Sequence, residues 1–214
     1  MKKTILFLLL FAPSIALVAQ VSIGFRGGLS FPKIIYETQD ADLSFSAFRG
    51  LALAAMAEQS FSGLFAVQAE LAFVQKGSII LIDYGTLGSV PDEAEIRINY
   101  LELPLLAKLK LGNSTVAAHV LAGPSFGYAL SGYLKEEGEK ETFSDSGWEI
   151  FKRFEFAGNI GGGIGLHLPS GKAFIDLRYQ VSFANILNSG FDEIKIRNKS
   201  IIFNVGYLAD LHKK

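Results

Sequence analysis

The sequence predicts an all-β fold: an eight-stranded antiparallel up-and-down transmembrane β-barrel. Three observations predict it. Long runs alternate between apolar and polar residues. The connections between those runs alternate between long and short. And although half of the residues are hydrophobic, a continuous apolar block occurs only at the N-terminus. The clearest alternation lies in residues 100–131. Leu101, Leu103, Leu105, Ala107, Leu109 and Leu111 share one parity, with Glu102, Lys108 and Lys110 between them. After the break Gly112-Asn113-Ser114-Thr115, Val116, Ala118, Val120, Ala122, Phe126, Tyr128 and Leu130 repeat the pattern; His119, Gly123, Ser125, Gly127 and Ser131 fall on the other parity. A period of two is the mark of a strand, because successive side chains face opposite sides. Each run exceeds a globular strand of about five or six residues and reaches the roughly 9–11 that cross a bilayer at a tilt.

The first 19 residues read as a secretory signal peptide: Lys2 and Lys3, then an apolar core, then small residues ending at Ala19. A transmembrane anchor is the alternative, but Pro13 and Ser14 interrupt the block, which is short for a span of about 20 residues. Residues 20–214 form the barrel domain. Without Lys2 and Lys3 the chain has 18 basic and 21 acidic residues, a net charge of −3. That balance is no signature of nucleic-acid binding. The chain has no cysteine, which excludes disulfides, thiolate metal sites and thiol nucleophiles.

The elements follow in order. The first strand, residues 21–30, puts Val21, Ile23, Phe25 and Leu29 on one face and Ser22, Gly24, Arg26, Gly28 and Ser30 on the other. A long connection covers residues 31–46. The second strand, residues 48–58, is the least patterned, since Leu51-Ala52-Leu53-Ala54-Ala55-Met56-Ala57 is apolar on both faces. After a short turn at 59–63, the third strand aims Phe65, Val67, Ala69, Leu71 and Phe73 at lipid and Gln68, Glu70 and Lys76 inward. Residues 78–94 form the second long loop. The fourth and fifth strands make the hairpin of residues 95–131. A third long loop, residues 132–153, carries Glu136, Glu137, Glu139 and Glu141 among Lys135 and Lys140. Mixed charges of this kind read as a solvated tip rather than a cation site.

The sixth strand places Phe154, Phe156, Ile160, Ile164 and Leu166 outward and Glu155, Asn159, Gly161, Gly163, Gly165 and His167 inward. Its Gly161-Gly162-Gly163-Ile164-Gly165 is no phosphate loop, because such a loop ends a strand and opens a helix. After the turn at 169–172, the seventh strand alternates most cleanly, with Ile175, Leu177, Tyr179, Val181 and Phe183 out and Asp176, Arg178, Gln180 and Ser182 in. Residues 184–198 are the fourth long loop. The eighth strand puts Ile201, Phe203, Val205, Tyr207 and Ala209 outward and Asn204, Gly206 and Asp210 inward. Short turns on one side and long loops on the other are the pattern of bacterial outer-membrane barrels. Phe48, Tyr100, Tyr128, Phe154, Tyr179, Phe183 and Tyr207 are candidates for the aromatic girdles.

With these residues placed, the chain resembles the PorT-like outer-membrane barrel family of Bacteroidetes. The resemblance lies in QAELAFVQKG, NYLELPLLAKLKL, LAGPSFGY and DLRYQVSFANI, in that order. It implies an eight-stranded barrel in the outer membrane; both termini are expected on the periplasmic side. One branch of the family is implicated in protein secretion. The expected partners are outer-membrane lipid and other envelope or secretion proteins; the charge balance predicts no nucleic acid. The chain departs from such barrels in ending Asp210-Leu211-His212-Lys213-Lys214 rather than on an aromatic.

The candidate site is a polar network in the lumen: Arg26, Glu70, Glu102, Lys108, Glu155, Asp176 and Arg178, with Lys110 and Asp210 also inward. Charges of both signs favour a plug of ion pairs, since buried charges must be paired; the alternative is a narrow passive pore for ions or small solutes. Asp176 and Glu155 are the expected partners of Arg178. Catalysis is not expected, because His119, His167 and His212 form no spacing with a nucleophile and a carboxylate, and no cofactor or metal is implied. A soluble lipocalin-like barrel would bury the bulky parity instead, and small and charged residues together on one parity oppose that. Finally, Pro104 is expected nearly opposite Gly123-Pro124, with Asn113-Ser114 as the turn. The opposite parities of Ile96 and Ile98 relative to Leu101 then predict a β-bulge or an unpaired step between Tyr100 and Pro104, facing Gly123-Pro124; the alternative is that Ile96 and Ile98 lie above the bilayer, where parity is free, with no bulge.

Overall fold

The computed structural model of the chain describes residues 20–36, 43–82, 92–113, 115–136, 139–188 and 195–211. The expected leader, Asp42, Gly88, Ser114, Asp192 and His212 lie outside the described residues. Among the described residues ten strands and one helix succeed one another: β1 (Gln20–Tyr36), β2 (Leu43–Ser46), β3 (Gly50–Ser60), β4 (Phe65–Ile82), β5 (Asp92–Gly112), β6 (Val116–Glu136), β7 (Glu139–Thr142), α1 (Asp145–Ile150), β8 (Phe154–Leu168), β9 (Gly171–Ser182) and β10 (Ile196–Asp210). Eight of the strands close a ring in the order β1-β3-β4-β5-β6-β8-β9-β10, with β10 returning to β1. Every pairing is antiparallel. Pairs can be followed once round the ring, from Val21 through Gln59, Val67, Ala107, Ala122, Ile160, Tyr179 and Ile201. The path returns to β1 at Phe31, ten residues further on. That stagger tilts the strands and leaves an interior that side chains fill.

The parities follow the sequence reading through the middle of the barrel. Phe25 is 71% exposed and Ile160 61%, whereas Arg26 and Asn159 on the alternate parity are buried. Leu29, Leu71, Leu103, Val120, Ile164, Leu177 and Phe203 complete a continuous outward apolar belt. Monomeric soluble proteins rarely present so much contiguous apolar surface to water, and a lipid-facing barrel must. Among the described residues no helix is long and apolar enough to cross a membrane; the strands cross it.

The strands are longer than expected, and mostly at the long-loop end. β1 continues to Tyr36, β4 to Ile82 and β6 to Glu136. Here the loops carry structure of their own. β2 pairs with β4, β7 pairs with β6, and the charged tip expected in solution is the hairpin of β6 and β7, with exposed side chains along β7. At the other end the turns are tight. Ser62 Oγ accepts from the Leu64 and Phe65 N–H groups, and Asn113 Oδ1 accepts from those of Thr115 and Val116. Gly112 has a φ of 152°, and a Cβ there would lie 2.4 Å from the Val116 carbonyl oxygen. Only glycine fits that approach.

The hairpin differs from the expectation in register. Asn113 donates to the Val116 carbonyl, so the turn lies one residue later, and Pro104 faces Ser125. The bulge sits at Asn99/Tyr100, and its extra residue is Leu130 on β6. Therefore β6 changes parity there: Ser131, expected inside, is exposed. β5 does not change parity. Ile96 and Ile98 point inward like Glu102, because the lumen above the charged layers is apolar: Ile98, Tyr100 and Ala129 are packed by Ile96, Phe143, Trp148 and Phe151. For the same reason Tyr100 is no girdle residue, and Phe48 is buried too. Tyr128, Phe154, Tyr179 and Phe183 do face outward. The prolines still interrupt pairing: Glu70 and Leu71 have no ladder partners opposite Leu103-Pro104, and neither do Leu105-Leu106 opposite Gly123-Pro124.

Candidate functional site

The lumen holds three layers of charge. The middle layer is built by β1, β4, β9 and β10. Arg26 Nη2 lies 2.8 Å from Glu70 Oε2 and its Nη1 donates to Asn204 Oδ1 at 2.7 Å. Arg178 bridges two carboxylates: Nη1 reaches Glu70 Oε1 at 2.8 Å, while Nε and Nη2 fork onto Asp176 at 3.0 and 2.9 Å. Asn204 also donates to Asp176, and Gln68 donates to Glu70. Two guanidinium groups meet two carboxylates, so the layer is neutral, and bidentate forks of this kind are the strongest form of such pairing.

Toward the short turns, Glu58 gathers three lysines: Lys108 at 2.9 Å, Lys172 at 3.1 Å and Lys110 at 3.6 Å. Lys108 also donates to Gln68, which ties this layer to the middle one. Toward the long loops, Lys76 lies 2.6 Å from Glu102 and 3.0 Å from Glu155. Ser125 and Gln180 donate to Glu102, and Asn198 donates to Glu155. Tyr100 covers Lys76, its ring centroid 5.2 Å from Nζ. Above it lies the apolar cap. There α1 and the segment before β10 knit together: Asn188 donates to the Trp148 and Glu149 carbonyls, and Phe151 bridges to Leu187.

All seven residues read from the sequence as a network are buried inside the barrel. They do not form one cluster. Arg26, Glu70, Asp176 and Arg178 share the middle layer, Lys108 belongs to the layer below, and Glu102 and Glu155 belong to the layer above. Arg178 pairs with Asp176 as expected, but its second partner is Glu70; Glu155 is held by Lys76. Three further members complete the layers: Lys76, which the sequence already places inward, and Glu58 and Lys172, whose side it leaves unassigned. The signal for these two was available: Glu58 continues the inward parity of Ala52, Ala54 and Met56, and Lys172 that of Asp176 and Arg178. Asp210 is at the short-turn mouth, where it accepts from Ser22. His119 is buried 4.0 Å from Asp176, whereas His167 is exposed at the turn. Among the described residues no group of His, Cys, Asp or Glu is arranged to hold a metal ion.

A family model described as "Outer membrane protein beta-barrel domain" matches residues 14–188. No curated protein matches the sequence. Several solved structures are similar in shape, among them the following three. Ail, the attachment invasion locus protein of Yersinia pestis, is 14% identical with a TM-score of 0.44, covering 89% of this chain and 98% of that one. OprG from Pseudomonas aeruginosa is 13% identical with a TM-score of 0.48, covering 91% and 96%. The Neisserial surface protein A is 9% identical with a TM-score of 0.47, covering 87% and 97%. At these scores the likenesses add nothing to what the ring of paired strands shows.

Proposed function

The chain belongs to the outer membrane protein β-barrel domain family, and from that premise we propose that it is a closed, non-conducting barrel with a structural or interaction role in the envelope. The observation that carries the reading is the filled lumen. Three layers of paired charge and an apolar cap occupy it from the short turns to the long loops. Such a barrel offers its partners the lipid-facing wall and the structured loop end. In this reading residues 1–19 are a cleaved leader, and both termini and the short turns are periplasmic. The barrel carries no catalytic centre or cofactor and binds no nucleic acid. The PorT-like resemblance supports envelope proteins, including those of a secretion assembly, as partners at the loop end.

The competing reading is a narrow pore. It is favoured by Ser30 Oγ, Asn159 Nδ2 and Ser200 Oγ, which are buried without hydrogen-bond partners and are sites for internal water. Proteoliposome swelling separates the two. The closed barrel leaves the uptake of small sugars and amino acids at the rate of protein-free vesicles; accelerated swelling overturns it. Orientation is tested independently. Because the chain has no cysteine, single cysteines at Ser62, Asn113, Ser170 and Glu139 are unambiguous reporters. In intact cells an impermeant thiol reagent labels the Glu139 site and spares the other three. Labelling of those three with Glu139 protected inverts the topology.

A further inference from the structure

Beyond the belt, the outward face of β1 and β10 becomes basic. Along β1 the outward residues run Val21, Ile23, Phe25, Gly27, Leu29, Phe31 and then Lys33; along β10 they run Ala209, Tyr207, Val205, Phe203, Ile201 and then Lys199. From Val21 to Phe31 the path spans about 33 Å of strand at ~3.3 Å per residue, which at a tilt of about 40° is close to the ~25 Å height of the apolar band. Lys33 and Lys199 therefore stand at its edge on the long-loop side. They are direct partners in the ladder, with Ile35 opposite Arg197 one step beyond on that face. Their buried neighbours Pro32, Ile34, Asn198 and Ser200 fix both lysines outward. Arg49, exposed, precedes Gly50, the partner of Ser30, and Lys195 is exposed below Ile196 in sequence.

Like charges directly opposite in a ladder destabilise it. Among the described residues, the outward positions of β1 and β10 beyond Phe31 and Ile201 carry no carboxylate, and Lys33 and Lys199 form no ion pair. The contrast is on the opposite wall, where Arg97 on β5 pairs with Glu95 at 2.6 Å. A lysine pair set above bulky aliphatic and aromatic side chains, in a chain that lies in lipid, is complementary to an amphiphile with an anionic head and several acyl chains.

We propose that Lys33 and Lys199 form a binding site for the phosphate groups of a phosphorylated glycolipid of the outer leaflet. The acyl chains lie along Leu29, Phe31, Ile201 and Phe203, and Arg49 and Lys195 flank the head. The site rests on the membrane placement argued above but not on the closed lumen.

The test uses the full chain purified in a neutral detergent, with bisphosphorylated lipid A as the probe and native mass spectrometry as the readout. The wild type retains lipid A. Lys33→Gln/Lys199→Gln binds it roughly thirtyfold more weakly, the equivalent of about 1 kcal/mol for each lysine near an anionic surface. Dephosphorylated lipid A binds the wild type no better than the variant. Both substitutions are outside the lumen and relieve the repulsion between the paired lysines, so a thermal midpoint in detergent no lower than that of the wild type verifies that the variant is folded. Equal retention of lipid A by wild type and variant overturns the site, and so does equal retention of the dephosphorylated lipid by the wild type. If inorganic phosphate alone displaces lipid A at comparable concentration, the site reads free phosphate and the lipid assignment falls. A barrel that swells liposomes yet still discriminates these lipids overturns the closed lumen and leaves this site standing.

Discussion

Lys76→Met lowers the stability of the barrel by about 3–5 kcal/mol, the range for breaking a buried charge pair from one side. Lys76 is the cation shared by Glu102 and Glu155, and all three are 2% exposed or less. Methionine keeps the unbranched stem of the side chain and leaves two carboxylates facing each other with no ammonium between them. The polar neighbours Ser125, Gln180 and Asn198 remain, but neutral donors do not replace a charge. Adding Glu102→Gln and Glu155→Gln to Lys76→Met removes the stranded charges and recovers most of the loss, because matched neutral groups do not need the ion. The check is the urea midpoint of unfolding in detergent micelles for wild type, single and triple variants. A single variant as stable as wild type, or a triple variant worse than the single, contradicts the ion-pair account of this layer.

Arg178→Leu has an effect of the same order, about 3–5 kcal/mol, for a different geometric reason. Arg178 is the bridge of the middle layer, forked onto Asp176 and touching Glu70. Its loss takes the layer from neutral to one uncompensated negative charge, since Arg26 still holds Glu70. Arg178→Lys is the informative companion. It keeps the charge but reaches one carboxylate at a time, so it recovers only part of the stability. Heat-modifiability on gels gives the order wild type, Arg178→Lys, Arg178→Leu. If lysine restores the whole midpoint, the fork is not what holds this layer.

Which parts of this arrangement the sequence discloses follows from what period two can and cannot say. Parity assigns a side, so the inward faces of Asp176, Arg178, Glu70 and Glu102 were legible one strand at a time. Parity says nothing about height. Whether Arg178 meets Glu155 or Glu70 depends on the ten-residue stagger accumulated around the ring, which no single strand records. Lys76 shows the same limit: its side is plain from Gln68 and Glu70, but its partners come from β5 and β8.

The bulge marks a second limit. A switch of parity was visible in the sequence, yet the extra residue is Leu130 on the facing strand, and Ile96 and Ile98 are apolar because the upper lumen is apolar. Polar-in and apolar-out is a rule set by lipid on the outside; inside, only packing and pairing decide. The loops hid most. Nothing in the charged run around Glu139 distinguishes a solvated tip from a hairpin continued out of β6, because exposed side chains leave no pattern. Phe143, Trp148 and Phe151 look like loop aromatics until Tyr100 and Ile98 are known to face them.

The central claim is that paired charges and the cap close the lumen, and single-channel recording in planar bilayers tests it most directly. Protein reconstituted at densities where a known porin gives discrete openings yields none, at either polarity. Reproducible unitary steps from the wild-type barrel, with an ion selectivity that changes in Arg178→Leu, contradict it and establish a pore.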